Sequence, residues 1–288
     1  MGLQGSEVQI LSPRPFRISS LLLTLNRILI IVHILISNDD GYFSEGIKCL
    51  RNGLEKTEHA ISMIAPRENN SACGMSITVR ESLDVEKIDE HGYVVSGTPV
   101  DCVGIGLGGL LEEPVDIVVS GINNGPNLAD DVLYSGTVAA AVEARRLSYP
   151  NIAVSMTSRM PNHYETALQV VLDILKSIEG KAFSPTIALL NINVPDLPYE
   201  KLKGIRVTRL AERSSPENPK FKPLSETHWK VNMGGVGDFF MRDNDCQYHY
   251  DCESVDAGYV SVTPIRSKYI DTPYLDQLNQ LLDKSISK

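Results

Sequence analysis

Two hydrophobic periods alternate along this chain. The first apolar run, Leu21 to Ile36 (LLLTLNRILIIVHILI), follows Arg14 and Arg17 and is interrupted by Asn26, Arg27 and His33. A spanning helix wants about 20 clean apolar residues, and the run passes straight into SNDDG with no small-residue cleavage site. A signal peptide or membrane anchor therefore fits it poorly. Its β-branched half, Ile28 to Ile36, suits a parallel strand buried on both faces. Residues 1–26 carry no fold signal and read as an extension: a tag remnant, a misplaced start or a disordered tail. Ser44 to Lys56 then sets Ile47, Leu50 and Leu54 at helical spacing.

Ala60 to Ala65, closed by Pro66, reads as a second strand, and Arg67 to Gly74 as a polar loop. Residues 76–95 alternate like a hairpin or paired strands. Val100 to Leu111 predicts a helix despite its glycines, and Val115 to Ser120 a third buried strand. Ser135 to Leu147 is the clearest helix, with Ser135 as a natural N-cap, Ala139 to Ala141 as strong helix formers and Pro150 as the stop. Strand, helix and strand follow at Ile152 to Met156, Tyr164 to Ile178 and Ile187 to Val194. Such alternation predicts an α/β fold, a mostly parallel sheet with helices on both faces. Beyond Ile205 the pattern breaks. Residues 211–254 hold Pro216, Pro219, Pro223 and the glycines around Gly234, and read as a long hairpin or arm making a subunit contact. Tyr259 to Ile265 is a return strand and Tyr274 to Leu282 a terminal helix. The organisation expected is one domain over residues 27–288 with an arm appended at about 211–254.

Composition narrows the partners. The 288 residues carry 27 basic and 36 acidic side chains, a net charge of −9, which disfavours a nucleic-acid polymer. The cysteines, Cys49, Cys73, Cys102, Cys246 and Cys252, are odd in number and lack C-x-x-C spacing, so free thiols in a reducing compartment, the cytoplasm, are expected. A loop disulfide between Cys246 and Cys252 is open to the chain but nothing requires it.

Ligands of an open α/β sheet bind beyond the carboxyl ends of its strands. There the sequence sets Asn38, Asp39, Asp40 and Gly41 after the first strand, Asn69, Asn70 and Ser71 after the second, and Ser120, Asn123, Asn124 and Asn127 after the third. Adjacent carboxylates repel unless a cation or proton lies between them. An oxygen-rich set of Asp, Ser and Asn suits Mg²⁺, Mn²⁺ or Ca²⁺ better than zinc. NDDG is also good turn chemistry in its own right. Further on, Ser135, Gly136 and Thr137 open a helix whose unpaired N–H groups and hydroxyls can cradle a phosphate; an ordinary serine cap is the competing use. The histidines at 33, 59, 91, 163, 228 and 249 show no metal-ligand spacing. No G-x-S-x-G elbow, Walker lysine loop or post-strand G-x-G-x-x-G is present, which disfavours hydride transfer and ATP-dependent chemistry.

ISNDDGYFSEGI (36–47), APRENNSACG (65–74), GTPVDCV (97–103), VSGINNGPNLADDVLYSGTVAAAVEA (119–144), LNINVPDLP (190–198) and GYVSVTPI (258–265) closely resemble the SurE, or survival-protein-E, nucleotidases, in that family's order from about residue 27 onward. The extension at 1–26 departs from the family. The resemblance implies a Rossmann-like fold, with a C-terminal swapped segment supporting homodimers or homotetramers. It implies a metal-dependent phosphomonoesterase acting on nucleoside 5′- and 3′-monophosphates, with short polyphosphate as a further substrate of some members. Carried over by position, the metal ligands are Asp39, Asp40, Ser71 and Asn123, with Ser76 as a poorer fallback for Ser71. Asn127 is a further candidate phosphate contact.

In such chemistry a divalent cation neutralises the ester and acidifies water, and donors at the helix end stabilise developing charge. Asp40 is expected to activate the attacking water; direct attack by Asp40, forming an aspartyl-phosphate, is the alternative. A non-catalytic nucleotide-binding sensor of the same fold is the rival reading, one that would lack the carboxylate pair.

Overall fold

Among the described residues nine strands form one sheet: β1 (His33–Ser37), β2 (Ala60–Pro66), β3 (Val85–Lys87), β4 (Gly92–Val95), β5 (Ile117–Asn123), β6 (Asn151–Met156), β7 (Ile187–Val194), β8 (Ile205–Val207) and β9 (Val260–Arg266). The computed structural model describes residues 31–183, 187–242 and 247–266, with the backbone of two short paired strands at 23–24 and 27–28. The expected terminal helix Tyr274 to Leu282, Cys246 and nearly all of the extension at 1–26 lie outside the described residues.

The strand order is β8-β9-β7-β6-β5-β1-β2-β4-β3. β1 lies parallel to both β2 and β5, and β6 and β7 continue parallel beyond β5. The chain thus leaves β1 in one direction for β2 and β4, then returns to its other side at β5. That reversal makes the β1/β5 boundary the topological switch point, where such sheets open a crevice. This is a Rossmann-like α/β fold.

Alternate strand residues feed two helical layers. Ile34, Ile36 and Val119 pack with Ile47, Leu50 and Leu54 of α1 (Glu45–Leu54) and with Val170, Val171 and Ile174 of α4 (Tyr164–Ile178). Leu35 and Val118 face the opposite way, onto Val103 of α2 (Pro99–Ile105) and Ala140 of α3 (Gly136–Glu143). Burial on both faces explains the unbroken apolar runs.

Several boundaries differ from expectation. β1 begins at His33 rather than Ile28, because its partners begin there: His33 aligns with Ala60, and Ile34 with Ile117. α2 ends at Ile105 and passes into a wider turn, Gly106–Leu110, where Gly109 takes φ 131°, a conformation that favours glycine. α3 stops at Glu143 instead of Leu147, since the Asn151 amide captures the Ala144 carbonyl at 2.8 Å while its oxygen accepts Val118 N–H at 2.9 Å. That bond ties the helix end to the sheet. Residues 251–254, expected in the arm, belong to helix α5 (Asp251–Asp256). Cys49, Cys73, Cys102 and Cys252 are free thiols.

The arm leaves the domain after β8. Its hairpin, Lys220–Ser225 against His228–Asn232, has every residue exposed, including Phe221, Leu224 and Trp229. Its root is pinned: Arg213 grips Asp131 through Nη2 at 2.5 Å and Nε at 3.1 Å, and its backbone N–H donates to Asp130 at 2.7 Å. Among the described residues no helix is long and apolar enough to cross a membrane.

Candidate active site

Asp39 and Asp40 lie just after β1, and Asn123 ends β5, so the switch point brings together carboxylates and an amide from far apart in the sequence. Asp39 is buried beneath the start of α3. The Thr137 hydroxyl donates to its Oδ1 at 2.5 Å, and the backbone N–H groups of Gly136 and Thr137 also serve the carboxylate. Gly136 makes this approach possible, since a Cβ there would come within 2.8 Å of the Asp39 Cβ and 2.9 Å of its Oδ2. The helix terminus expected to cradle phosphate therefore holds Asp39 in this structure. Ser135 is the N-cap, its Oγ accepting Val138 N–H at 3.1 Å. That bond uses the oxygen as acceptor and leaves the hydroxyl proton to donate.

Asp40 is half-buried. Its Oδ2 accepts Asn124 N–H at 3.0 Å, and Oδ1 takes no bond among the described residues. Burial first, and the Asp39 charge second, push its carboxyl up to about 6, while burial raises Asp39 despite its hydrogen bonds. Asn123 donates Nδ2 to Gly125 O at 2.8 Å, which turns its Oδ1 away from that contact and leaves it unpaired among the described residues. Asn124 Oδ1 accepts the Tyr164 hydroxyl, and burial and then the Asp40 charge raise that phenol above its usual range, keeping it a donor.

The loop after β2 is tied to the same place: Asn70 N–H donates to the Asp39 carbonyl at 2.7 Å. Ser71 follows on this loop, exposed, with its N–H on Asn69 Oδ1 at 2.7 Å. Ser76 lies on a different tether, its carbonyl accepting the Thr98 hydroxyl at 2.8 Å, so Ser71 is the serine whose segment is bound to Asp39. Asn127 turns its amide inward. It donates Nδ2 to Ser155 Oγ at 2.7 Å, its N–H goes to Asn193 Oδ1 at 2.8 Å, and its carbonyl accepts the side chains of Asn191 and Asn193.

The donors present suit a hard divalent cation. They are all oxygen: two carboxylates, an amide and a hydroxyl. Ser37 Oγ at the end of β1, Asn38 Oδ1 just after it and Ser120 Oγ, in register with Ser37 on β5, are also buried without hydrogen-bond partners, and the repulsion between adjacent carboxylates favours a positive charge between them. Among the described residues no cluster of three His, Cys, Asp or Glu side chains offers a softer site. His33, away from this edge, is satisfied by Ser62 Oγ at 2.9 Å and the Pro114 carbonyl at 3.2 Å. Thr137 as the orienting donor of Asp39, and the Tyr164 contact, were not readable beforehand. The first hides within a capping motif, and the second joins residues 40 positions apart.

Fold and site together define an α/β protein of the Rossmann-like class with an acidic, oxygen-lined centre at its switch point. The chain belongs to the SurE family: the family model "Survival protein SurE" matches residues 34–217. The protein named 5′-nucleotidase SurE of Actinobacillus pleuropneumoniae serotype 5b is 43% identical over 248 residues, covering 82% of this chain and 94% of that one. The protein of the same name from Haemophilus influenzae is 42% identical over 259 residues, covering 89% and 100%. The crystal structure of the SurE protein from Aquifex aeolicus superposes with a TM-score of 0.75 at 36% identity, covering 86% of this chain and 99% of that one.

Proposed function

We propose that the protein is a divalent-metal-dependent 5′-nucleotidase, a phosphomonoesterase that releases phosphate from nucleoside 5′-monophosphates, with 3′-monophosphates and short polyphosphate as further substrates. The observation that carries this is the adjacent pair Asp39 and Asp40 at the switch point, each oriented by its own donors and flanked by unpaired oxygens. The names of the relatives support it. Asp39, Asp40, Asn123 and Ser71 would hold Mg²⁺ or Mn²⁺, and Ca²⁺ fits the same donors. When bound, the cation supplies charge neutralisation of the ester and a more acidic water.

The protein's own groups do the rest. Asp40 Oδ1 accepts the proton of the attacking water as the new P–O bond forms and the bond to the nucleoside oxygen breaks, and the leaving nucleoside oxygen takes a proton from solvent water. Thr137 and the α3 terminus hold Asp39 still. The Ser135 hydroxyl, at the mouth of the same helix, donates to a phosphate oxygen as charge grows there. Asn127, whose amide is engaged with Ser155, shapes the loop and leaves the phosphate to Ser135, since Gly136 and Thr137 give their donors to Asp39.

The test is phosphate release from a panel of nucleoside 5′- and 3′-monophosphates after chelation, with Mn²⁺ or Mg²⁺ restored. Metal-dependent release that Asp39→Asn abolishes is expected. A folded protein that binds nucleotide and releases nothing would instead be the sensor. The exposed apolar residues of the arm support a homodimer or homotetramer, since a two-stranded hairpin is marginal in water by itself. Sedimentation of a Phe221→Ser, Trp229→Ser variant at lower mass than the parent is the expected result. The free thiols fit the cytoplasm as the location we propose.

A further inference from the structure

Beside the carboxylate pair runs a chain of contacts that the reaction as described does not use. It begins at a glycine. A Cβ on Gly46, in the first turn of α1, would overlap the Ile122 carbonyl oxygen and come within 3.2 Å of the Tyr164 ring. The bare backbone there lets three elements converge: α1, the end of β5 and the first residue of α4. Tyr164 is held firmly in that gap. The preceding His163 gives its N–H to Asp196 at 3.0 Å and places Nδ1 2.9 Å from the same carboxylate. The Thr166 hydroxyl donates to Leu197 O at 2.8 Å. The first turn of α4 is thus fastened to the segment after β7, and the phenol reaches across to the loop after β5.

There its hydroxyl donates to Asn124 Oδ1, and Asn124 N–H donates to Asp40 Oδ2 at 3.0 Å. The neighbouring Asn123 closes the same loop through Gly125 O. One link therefore joins Tyr164 to Asp40, and the same loop carries Asn123. Asp40 has a single hydrogen-bond donor among the described residues, so the angle of its carboxylate depends on where that N–H sits.

We infer that Tyr164 is a positioning residue for hydrolysis at this site, acting through Asn124 to hold the Asp40 carboxylate and the Asn123 loop. The inference rests on the phosphohydrolase reading above. It places Tyr164 outside the reacting atoms: without the phenol the Asn124 side chain loses its anchor, its N–H drifts, and Asp40 samples unproductive angles. Small misplacements of reacting groups are costly in rate, and outer partners of metal ligands are typically worth 10–100-fold in metal affinity or activity.

The experiment compares Tyr164→Phe, Asn124→Ala and the double variant in the full chain. It reads kcat and KM for a nucleoside 5′-monophosphate with Mn²⁺, Mn²⁺ binding by calorimetry without substrate, and Tm. Each single change is expected to lower kcat roughly tenfold with KM within about twofold, to weaken Mn²⁺ binding severalfold, and to leave Tm near the parent value. The double variant should lose no more than the worse single one, because both cut the same link. Tyr164→Phe with parental kcat and Mn²⁺ affinity overturns the inference while the functional reading stands, as do losses that multiply. So does a lower Tm with unchanged kcat and Mn²⁺ binding, which marks a structural role. A parent protein that neither turns over nor binds Mn²⁺ overturns the functional reading and the inference with it. A parent that binds Mn²⁺ without turnover likewise overturns the functional reading, and the role in hydrolysis with it.

Discussion

Asp39, just after β1, and Asp251, the first residue of α5, are both buried, and burial pushes both carboxyls above their ordinary range. Both accept backbone N–H groups at the start of a helix. Asp251 takes Ala129 N–H at 2.8 Å on one oxygen, and Ala211 and Cys252 N–H at 2.9 Å each on the other. It stitches the turn before α3, the start of the arm and α5 into one corner. Asp39 differs in its surroundings. It has Asp40 as a charged neighbour, raised in turn by the Asp39 charge, and follows Ser37 and Asn38, whose buried side-chain oxygens Oγ and Oδ1 have no hydrogen-bond partner. A buried carboxylate surrounded by donors and no second charge is a structural staple; one set against another carboxylate calls for a cation.

The sharpest way to break this comparison is to neutralise each aspartate. Asp39→Asn and Asp40→Asn should each lower kcat at least roughly a hundredfold, a loss of about 3 kcal/mol of transition-state stabilisation. Metal-free Tm should hold or rise in both, because a repelling charge has gone. Near-normal turnover in either variant would remove the assignment. Asp251→Ala should do the reverse. It strands three N–H donors and should cost about 2 kcal/mol of stability in denaturant melts, with kcat/KM per folded molecule unchanged. A metal-dependent loss of activity there would place Asp251 in the chemistry and erase the contrast.

The two corners were not equally legible. Strand–helix alternation to Val194 specifies the layers, and Asn38–Asp40, Ser71 and Asn123, the polar residues that follow successive strands, fall on one sheet edge. That works because a strand end dictates where the next residue points. The Asp251 corner joins residues 122 positions apart, and DCESVD reads only as part of an irregular excursion. Helix ends such as that of α3 depend on a distant amide, Asn151, which local propensity cannot register. Thr137 is expected as a phosphate contact, and in the structure its hydroxyl donates to Asp39; a helix terminus serves a carboxylate and a phosphate by the same donors.

A smaller effect sharpens the contrast by pH. In the metal-free protein, folded Asp40 holds a proton that the unfolded chain has released, so its contribution to stability is full below the ordinary 3.8 and is lost as pH rises through about 6; Asp39 is shifted in the same direction by burial. Asp251 shifts the same way, and His59, pushed down by burial, works in the opposite direction. Neither belongs to the proposed cation site, so the difference between chelated and Mn²⁺-treated protein isolates the pair. The Tm gain from Mn²⁺ should grow by a few degrees between pH 5 and pH 7.5, to use rough limits. A gain that is flat or shrinks with pH would separate the cation from these carboxylates.

The smallest effect comes from a third aspartate, at the surface. Arg51 grips both oxygens of Asp89, Nη1 to Oδ2 at 2.7 Å and Nη2 to Oδ1 at 2.9 Å, and that bidentate contact holds the carboxyl down to about 2. The sign is opposite to that at Asp39: the contribution is full above 3.8 and lost as pH falls through about 2. Its size is limited, because the Asp89 side chain is 41% exposed and water screens the pair. Asp89→Asn should therefore cost less than about 1 kcal/mol at neutral pH and leave kcat and Mn²⁺ binding untouched. Parent and variant should converge in stability as acid protonates the parent. A cost that persists in acid would mean that Asp89 acts as acceptor of the Tyr42 hydroxyl and the His91 N–H, and not through its charge.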